Sequence, residues 1–200
     1  MKTKITIMAL LFAIGFANAQ QQEIQDEVNS AKGITFQKGD MFIEGSLQLS
    51  TGGPVDYFGF NPKFGYFLSE KFAVGAKLSV GSSKIEATDE KTNQFGIGGF
   101  ARYYVLELDK KRFKAYGEAG LGFGRNKQDG DSDNSITADI NIGLNYFITK
   151  NIAVTFTLAN ILSYNSVSPA DGPSSDVFQL NINLFENIFD QPQFGLLYKF

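Results

Sequence analysis

The sequence predicts an all-β protein: an eight-stranded antiparallel up-and-down transmembrane β-barrel over residues 40–200. Three observations predict it. From Asp40 onward, apolar and polar residues alternate with a period of two almost everywhere, the period of a strand with two different faces. The connections alternate between short turns and longer polar stretches. The segment at residues 65–74, Gly-Tyr-Phe-Leu-Ser-Glu-Lys-Phe-Ala-Val, recurs at 145–154 as Asn-Tyr-Phe-Ile-Thr-Lys-Asn-Ile-Ala-Val. Self-similarity of this kind marks a repeated supersecondary unit, here a hairpin of roughly forty residues.

Composition narrows the class. The 200 residues suit one domain, and 20 are Phe and 21 Gly. Mean hydropathy is slightly negative, as alternation between a lipid face and a lumen face gives and a helical membrane protein does not. His and Cys are absent, so neither disulfides nor thiolate chemistry is available. The net charge is -3 and no basic stripe appears, so no nucleic-acid partner is expected.

The N-terminus reads as a processed leader. Lys2 and Lys4 precede an apolar run from Ile5 to Phe16, and Ala17-Asn18-Ala19 is an A-x-A cleavage pattern. Residues 1–19 are therefore expected to be a secretory signal peptide. Residues 20–39 are polar and are expected to form a periplasmic arm of low order. Ile24, Val28 and Ala31 have helical spacing there, and Gly33 ends any short helix.

The strands follow in order. Residues 41–50 place Met41, Ile43, Leu47 and Leu49 outward, with Glu44, Ser46, Gln48 and Ser50 inward. Residues 57–68 carry the outer row Phe58, Phe60, Pro62, Phe64, Tyr66 and Leu68. A proline inside a strand predicts a bulge or a gap in the ladder. Residues 72–82 alternate Val74, Ala76 and Leu78 with Gly75, Lys77 and Ser79. Residues 94–106 place Phe95, Ile97 and Tyr103 outward and Arg102 and Tyr104 inward. Residues 113–124 put Leu121 and Phe123 outside and Lys114, Tyr116 and Glu118 inside. Residues 136–148 show the clearest alternation, Ile136 to Ile148 against Thr137 to Phe147. Residues 152–162 form strand seven.

The last stretch, residues 176–200, is too long for one crossing of about 9–11 residues. One strand interrupted near 186–192 is expected, since two strands would make the count odd. Its final segment sets Phe194, Leu196, Tyr198 and Phe200 on one face and Gly195, Leu197 and Lys199 on the other. Such an apolar edge invites aggregation in water. Lipid on the face and pairing with strand one remove that hazard.

Turns at residues 69–71 and 149–151 are tight, and the connection at 107–112 is modest. Longer polar loops are expected at 83–93, 125–135 and 163–175, on the opposite side. Short turns on the periplasmic side and long loops outside are the pattern of an outer-membrane barrel. Tyr66, Tyr103, Tyr146 and Tyr198 then lie outward near the periplasmic boundary as an aromatic girdle.

Pro62-Lys63-Phe64-Gly65-Tyr66-Phe67, Arg102-Tyr103-Tyr104 and the terminal Tyr198-Lys199-Phe200 carry a family resemblance. Over residues 40–200 the chain resembles the small outer-membrane β-barrel proteins of Gram-negative bacteria, the OmpA/OmpX-like barrels. The resemblance implies location in the cell outer membrane, among outer-membrane lipid and lipopolysaccharide. It also implies assembly by the barrel assembly machinery, with Phe194, Leu196, Tyr198 and Phe200 as the assembly signal. No peptidoglycan-binding domain follows the barrel, a departure from the two-domain OmpA pattern, so cell-wall anchoring is not expected.

Five inward charges fall at similar heights: Glu44, Lys63, Lys77, Arg102 and Glu118. The interior of an eight-stranded barrel is nearly filled by side chains. Charges there must be paired or hydrated. They are expected to satisfy one another as a polar plug; the rival is a gate in which Glu118 exchanges partners between Arg102 and the lysines. The alternating acids Asp129, Asp131 and Asp133 fail the calcium-loop pattern, because the Gly is misplaced and Ile140 stands where the bidentate Glu belongs. No metal, cofactor or catalytic residue is expected, since triads built on His or Cys cannot form. Gly96, Gly98 and Gly99, and Gly120, Gly122 and Gly124, sit in strands and not before helices, so they are not phosphate loops. They are expected to relieve crowding. The function expected is structural, or surface contact with an extracellular ligand at loops 83–93, 125–135 and 163–175. The alternative is a narrow porin-like channel for small solutes or ions.

Overall fold

The computed structural model describes residues 26, 28–51, 53–128, 131–169, 172–180 and 193–200. The expected signal peptide at 1–19 lies outside them. The described strand segments are β1 (Met41–Ser50), β2 (Val55–Phe67), β3 (Phe72–Ile85), β4 (Lys91–Leu108), β5 (Phe113–Gln128), β6 (Asp131–Phe147), β7 (Ile152–Ser168), β8 (Ser175–Leu180) and β9 (Gln193–Lys199). Each pairs antiparallel with its sequence neighbour from β1 to β7, and β9 pairs with both β7 and β1. The sheet thus closes into an eight-stranded barrel, with β8 and β9 as two parts of one stave.

The interruption of that eighth stave expected at 186–192 lies outside the described residues. The ladder pairs Leu162 with Leu180 but Thr157 with Gln193, so five steps along β7 face thirteen along the other strand. The surplus falls within 181–192, which contains the expected interruption at 186–192 and lies outside the described residues. The closing seam is tied at its base by Met41 and Phe200. Each donates its N–H to the other's carbonyl, at 3.2 and 3.0 Å.

Pro62 breaks the ladder on one side only. It pairs across from Gly45 of β1. Between β2 and β3 the pairing lapses from Phe60↔Val80 to Lys63↔Lys77 and resumes in the same register. A residue without an N–H leaves such a gap and no slip.

The three polar loops are shorter than the sequence suggests. β3 continues to Ile85 and β4 begins at Lys91, β5 reaches Gln128 and β6 begins at Asp131, and β7 reaches Ser168 before β8 begins at Ser175. The expected loops at 83–93, 125–135 and 163–175 are therefore largely strand. Beyond the apolar belt both faces of a strand meet water, so no apolar alternation marks it, although the backbone ladder continues. Asp131 and Asp133 belong to β6, paired across from Gln128 and Asn126.

Outward residues form an exposed apolar belt that includes Ile43, Phe60, Phe64, Ile97, Leu121, Ile140 and Leu196. Inward residues form the core. At its base lies a finding the sequence reading did not anticipate. Within the arm, a helical turn at residues 28–30 ends before Gly33, whose φ of 77° suits the close of a helix. The chain then turns Ala31, Ile34 and Phe36 into the barrel, all buried. The Phe36 ring stacks on Phe67 at 4.1 Å and lies 4.7 Å from Tyr104 and 5.8 Å from Phe147. Gly33 donates to the Lys110 carbonyl at 2.7 Å, and Lys150 donates its backbone N–H to the Ser30 hydroxyl at 3.2 Å. Residues 31–36 are thus packed, not loose: one aromatic finds an apolar socket that a sequence window around it cannot show.

Candidate functional site: layers across the lumen

Above Phe36 the inward side chains form a layer centred on Arg102. β4 presents Arg102 inward by alternation with the outward Ala101 and Tyr103. Its guanidinium is buried completely and donates from Nε to Glu118 at 2.7 Å and from Nη1 to Glu44 at 2.7 Å. Nη2 reaches the second Glu44 oxygen at 3.1 Å and Glu118 at 2.6 Å. The register Arg102↔Glu118 brings the first carboxylate alongside on β5. Glu44 reaches across from β1. Lys63 of β2 completes the group, 2.5 Å from Glu118 and 3.6 Å from Glu44. Two cations meet two anions, so the layer carries no net charge. A buried charge is tolerated under that condition.

Aromatic rings hold the guanidinium from the sides. Tyr116 lies 3.9 Å from Arg102, Phe42 5.2 Å and Phe100 5.6 Å. Facing a ring, a guanidinium gains from the quadrupole while keeping its edge donors free for carboxylates. Glycine makes room for these rings at Gly65, Gly75 and Gly143, Gly75 lying under the Phe100 ring. A Cβ on Gly65 would strike the Phe42 ring, and one on Gly143 would strike Tyr116.

Lys77, grouped with the other four by height, does not join them. It pairs with Asp139 of β6 at 2.6 Å, and Asn141 donates to the same carboxylate at 2.7 Å. This pair spans two intervening strands. The inward positions between are Gly98, facing Lys77, and Gly120, facing Asp139. A Cβ on Gly120 would fall on Lys77 and Asp139 themselves. Those glycines are the signal that could have found Asp139 in the sequence: inward residues without side chains let charges on β3 and β6 meet. Phe36, Phe42, Phe100 and Tyr116 were also missed as site residues, because they read as ordinary members of an arm or an inner row.

A cavity of about 1140 Å³ opens from Lys63 and Glu118 past Lys77 and Asp139, lined further by Gln48, Asn61, Gln94 and Asn126 among others. Below the Arg102 layer, Lys114 pairs with Glu107 at 2.5 Å and lies 4.8 Å from the Phe36 ring.

The remaining predicted positions lie on the outer surface. Tyr66, Tyr103 and Tyr198 are exposed near the short turns, and Tyr146 is half-buried there with its hydroxyl 3.3 Å from Asp109 and Arg112 beside its ring. Phe194, Leu196, Tyr198 and Phe200 all face outward and are exposed. Phe194 packs edge-on against Phe156 at 5.3 Å, and Tyr198 lies 5.9 Å from Phe200. Among the described residues no cluster of acids has the composition of a metal site.

Comparison with known proteins bears on this architecture. No curated protein sequence matches the chain. Among solved structures, Neisserial surface protein A is similar with a TM-score of 0.54 at 17% identity, over 80% of this chain and 96% of that one. OprG of Pseudomonas aeruginosa gives 0.48 at 15% identity, over 82% and 97%. Ail of Yersinia pestis gives 0.44 at 16% identity, over 81% and 99%. At such identity the first likeness speaks for the fold alone. The family model described as outer membrane protein beta-barrel domain matches residues 7–184, nearly the whole chain. By that match, in keeping with its closed eight-stranded barrel and exposed apolar belt, the chain belongs to the outer membrane protein beta-barrel domain family.

Proposed function

We propose that this barrel is a non-conducting, non-enzymatic protein of the outer membrane, with a structural role or a role in surface contact. In this reading the signal peptide exports the chain, the assembly machinery reads the outward row that ends at Phe200, and the short turns face the periplasm. The observation that carries the closed lumen is Arg102, fully buried and shared between Glu44 and Glu118 with Lys63 alongside. An ion passing this layer must separate those charges in a medium of low dielectric, at a cost of several kcal/mol. Phe36 and its neighbours add a second, apolar barrier below. The absence of His and Cys from the sequence supports a non-enzymatic reading, since triads built on them cannot form.

The cavity beside Lys77 favours a second reading, a narrow channel, because it is roomy and has many polar residues in its lining. Single-channel recording separates the two. The chain without residues 1–19, refolded and inserted in a planar bilayer, is expected to stay silent while heat-shifted gel mobility reports a folded barrel. Steady discrete steps would overturn the closed lumen. Glu118→Ala distinguishes a plug from a gate: silence persists if the layers act together, whereas new steps would identify Glu118 as a gating residue.

A further inference from the structure

The inner wall formed by β4 and β5 carries a patch without side chains. Gly96, Gly122 and Gly124 line the cavity there, with Gly96 the register partner of Gly124 on the adjacent strand. Their contacts fix the side they face. A Cβ on Gly120, two positions before Gly122, would fall on Lys77 and Asp139 inside the barrel, and one on Gly96 would strike the Ser79 hydroxyl. Phe95, Ile97 and Phe123, which alternate with these glycines, are each more than half exposed and point outward. Neighbouring strands lie about 4.8 Å apart and alternate residues of one strand about 7 Å, so the bare patch has the span of one saturated six-membered ring.

Polar side chains frame the patch. Gln94 and Asn126, register partners, stand at its edge towards the hairpins. A Cβ on Gly122 would strike the Thr137 hydroxyl and one on Gly124 that of Ser135, so with Ser79 three hydroxyls lean over the glycines from β3 and β6. Lys77 and Asp139 close the opposite edge, their charges cancelled at 2.6 Å. All seven line the cavity. The rows beyond are bonded: Thr92 donates to Gln128 at 3.1 Å, and Asn141 to Asp139 at 2.7 Å. Among the described residues, the side chains of Ser79, Gln94, Asn126, Ser135 and Thr137 have no hydrogen-bond partner. Passage of the Lys77–Asp139 pair accounts for Gly98 and Gly120 but not for Gly96, Gly122 and Gly124. Glycine inside a strand marks places where a ligand approaches the backbone closely.

We propose that this framed patch binds one neutral pyranose ring, either a free monosaccharide or the end residue of a glycan. The C–H face of the ring lies on the glycine backbone. Its hydroxyls meet the amides of Gln94 and Asn126 and the hydroxyls of Ser79, Ser135 and Thr137, groups that donate and accept as sugar hydroxyls do. The Lys77–Asp139 pair is already balanced, so an acidic or amino sugar would have to break it, which favours a neutral ligand. Bare backbone offers no aromatic face for a flat heterocycle to stack on, which favours a saturated ring. The proposal deepens the surface-contact reading and rests on it, because a glycan reaches this wall only if the hairpin end faces outward. It does not rest on the closed lumen.

Saturation-transfer NMR on the refolded chain tests it, in a phosphocholine detergent that carries no sugar headgroup. The probes are methyl β-D-glucopyranoside and its galacto epimer, with sorbitol as an open-chain polyol and maltotriose as a short glycan. Saturation of the ring protons of at least one pyranoside is expected, and none of sorbitol. A hydrogen bond is worth about fivefold in affinity, so Q94L/N126L is expected to bind that pyranoside about twentyfold more weakly. Thr137→Val, which removes one hydroxyl at nearly constant shape and is expected at about fivefold, serves if the double variant loses its heat-shifted mobility. Saturation of the terminal ring of maltotriose would assign the site to a glycan end, and its exclusion while the pyranoside binds would assign it to a free sugar. A folded chain that saturates neither pyranoside overturns the proposal. So does equal saturation by parent and variants, or sorbitol saturated as strongly as the rings. Binding in micelles is independent of orientation, so a barrel found inverted in cells would sink the surface-contact reading and leave these signals unchanged.

Discussion

Arg102 shows how a single residue determines what its surroundings must be. Fully buried, it needs two carboxylates and flanking rings, and Glu44, Glu118, Tyr116 and Phe42 supply them. Removing one partner of a buried pair strands the other. Glu118→Ala leaves Arg102 and Lys63 to compete for Glu44, so the variant is expected to lose about 3–5 kcal/mol of stability. Urea unfolding of the refolded barrel, with an unchanged denaturant slope, checks this. A loss below about 1 kcal/mol would mean that water or a rearranged lysine replaces Glu118. The sequence marked four of the members of this layer as inward and of similar height. It could not assign their partners, because a strand pattern fixes the face and the height of a side chain but not how far it reaches across the lumen. Lys77 is the instance: its charged register neighbour is Lys63, yet its partner is Asp139, made reachable by Gly98 and Gly120.

At the scale of elements, the strands within the apolar belt were legible because lipid and lumen impose opposite demands on alternate residues. β6 shows this over its whole lower part, from Ile136 to Phe147. The extensions above the belt were not legible. Lys91 to Asn93 and Arg125 to Gln128 are strand by backbone pairing alone. The arm was illegible for a different reason. Its packed part carries two large apolar residues, Ile34 and Phe36, without a longer periodic run, and the socket of Phe36 is assembled from β2, β4 and β6. A buried phenylalanine truncated to alanine costs about 3–5 kcal/mol where the site cannot collapse. That exceeds what the few hydrogen bonds of residues 30–33 hold. Phe36→Ala is therefore expected to release the arm while the barrel stays closed. Trypsin reports it: Lys32 and Lys38 flank the socket and are exposed. Faster cleavage at both is expected, with heat-shifted mobility retained. Unchanged cleavage would show that the backbone bonds to Lys110 and Lys150 suffice to hold the arm.

At the scale of the whole molecule, the barrel has two unlike ends. One carries the tight turns, the tyrosines Tyr66, Tyr103 and Tyr198, and the packed arm. The other carries the extended polar hairpins. We expect this asymmetry to orient the chain with the tight turns towards the periplasm, because hairpins that continue as polar strands need water on both faces. The absence of Cys from the sequence makes the orientation directly measurable, since one introduced thiol is unique. Ala87→Cys lies in the turn between β3 and β4, and Glu70→Cys in the turn between β2 and β3; both positions are exposed. On intact cells, a membrane-impermeant maleimide is expected to label position 87 and to leave position 70 unlabelled until the outer membrane is permeabilised. Labelling of position 70 alone on intact cells would invert the barrel. It would place the extended polar hairpins in the periplasm. Labelling of both on intact cells would mean that the chain is not inserted as a spanning barrel, whatever its fold in isolation.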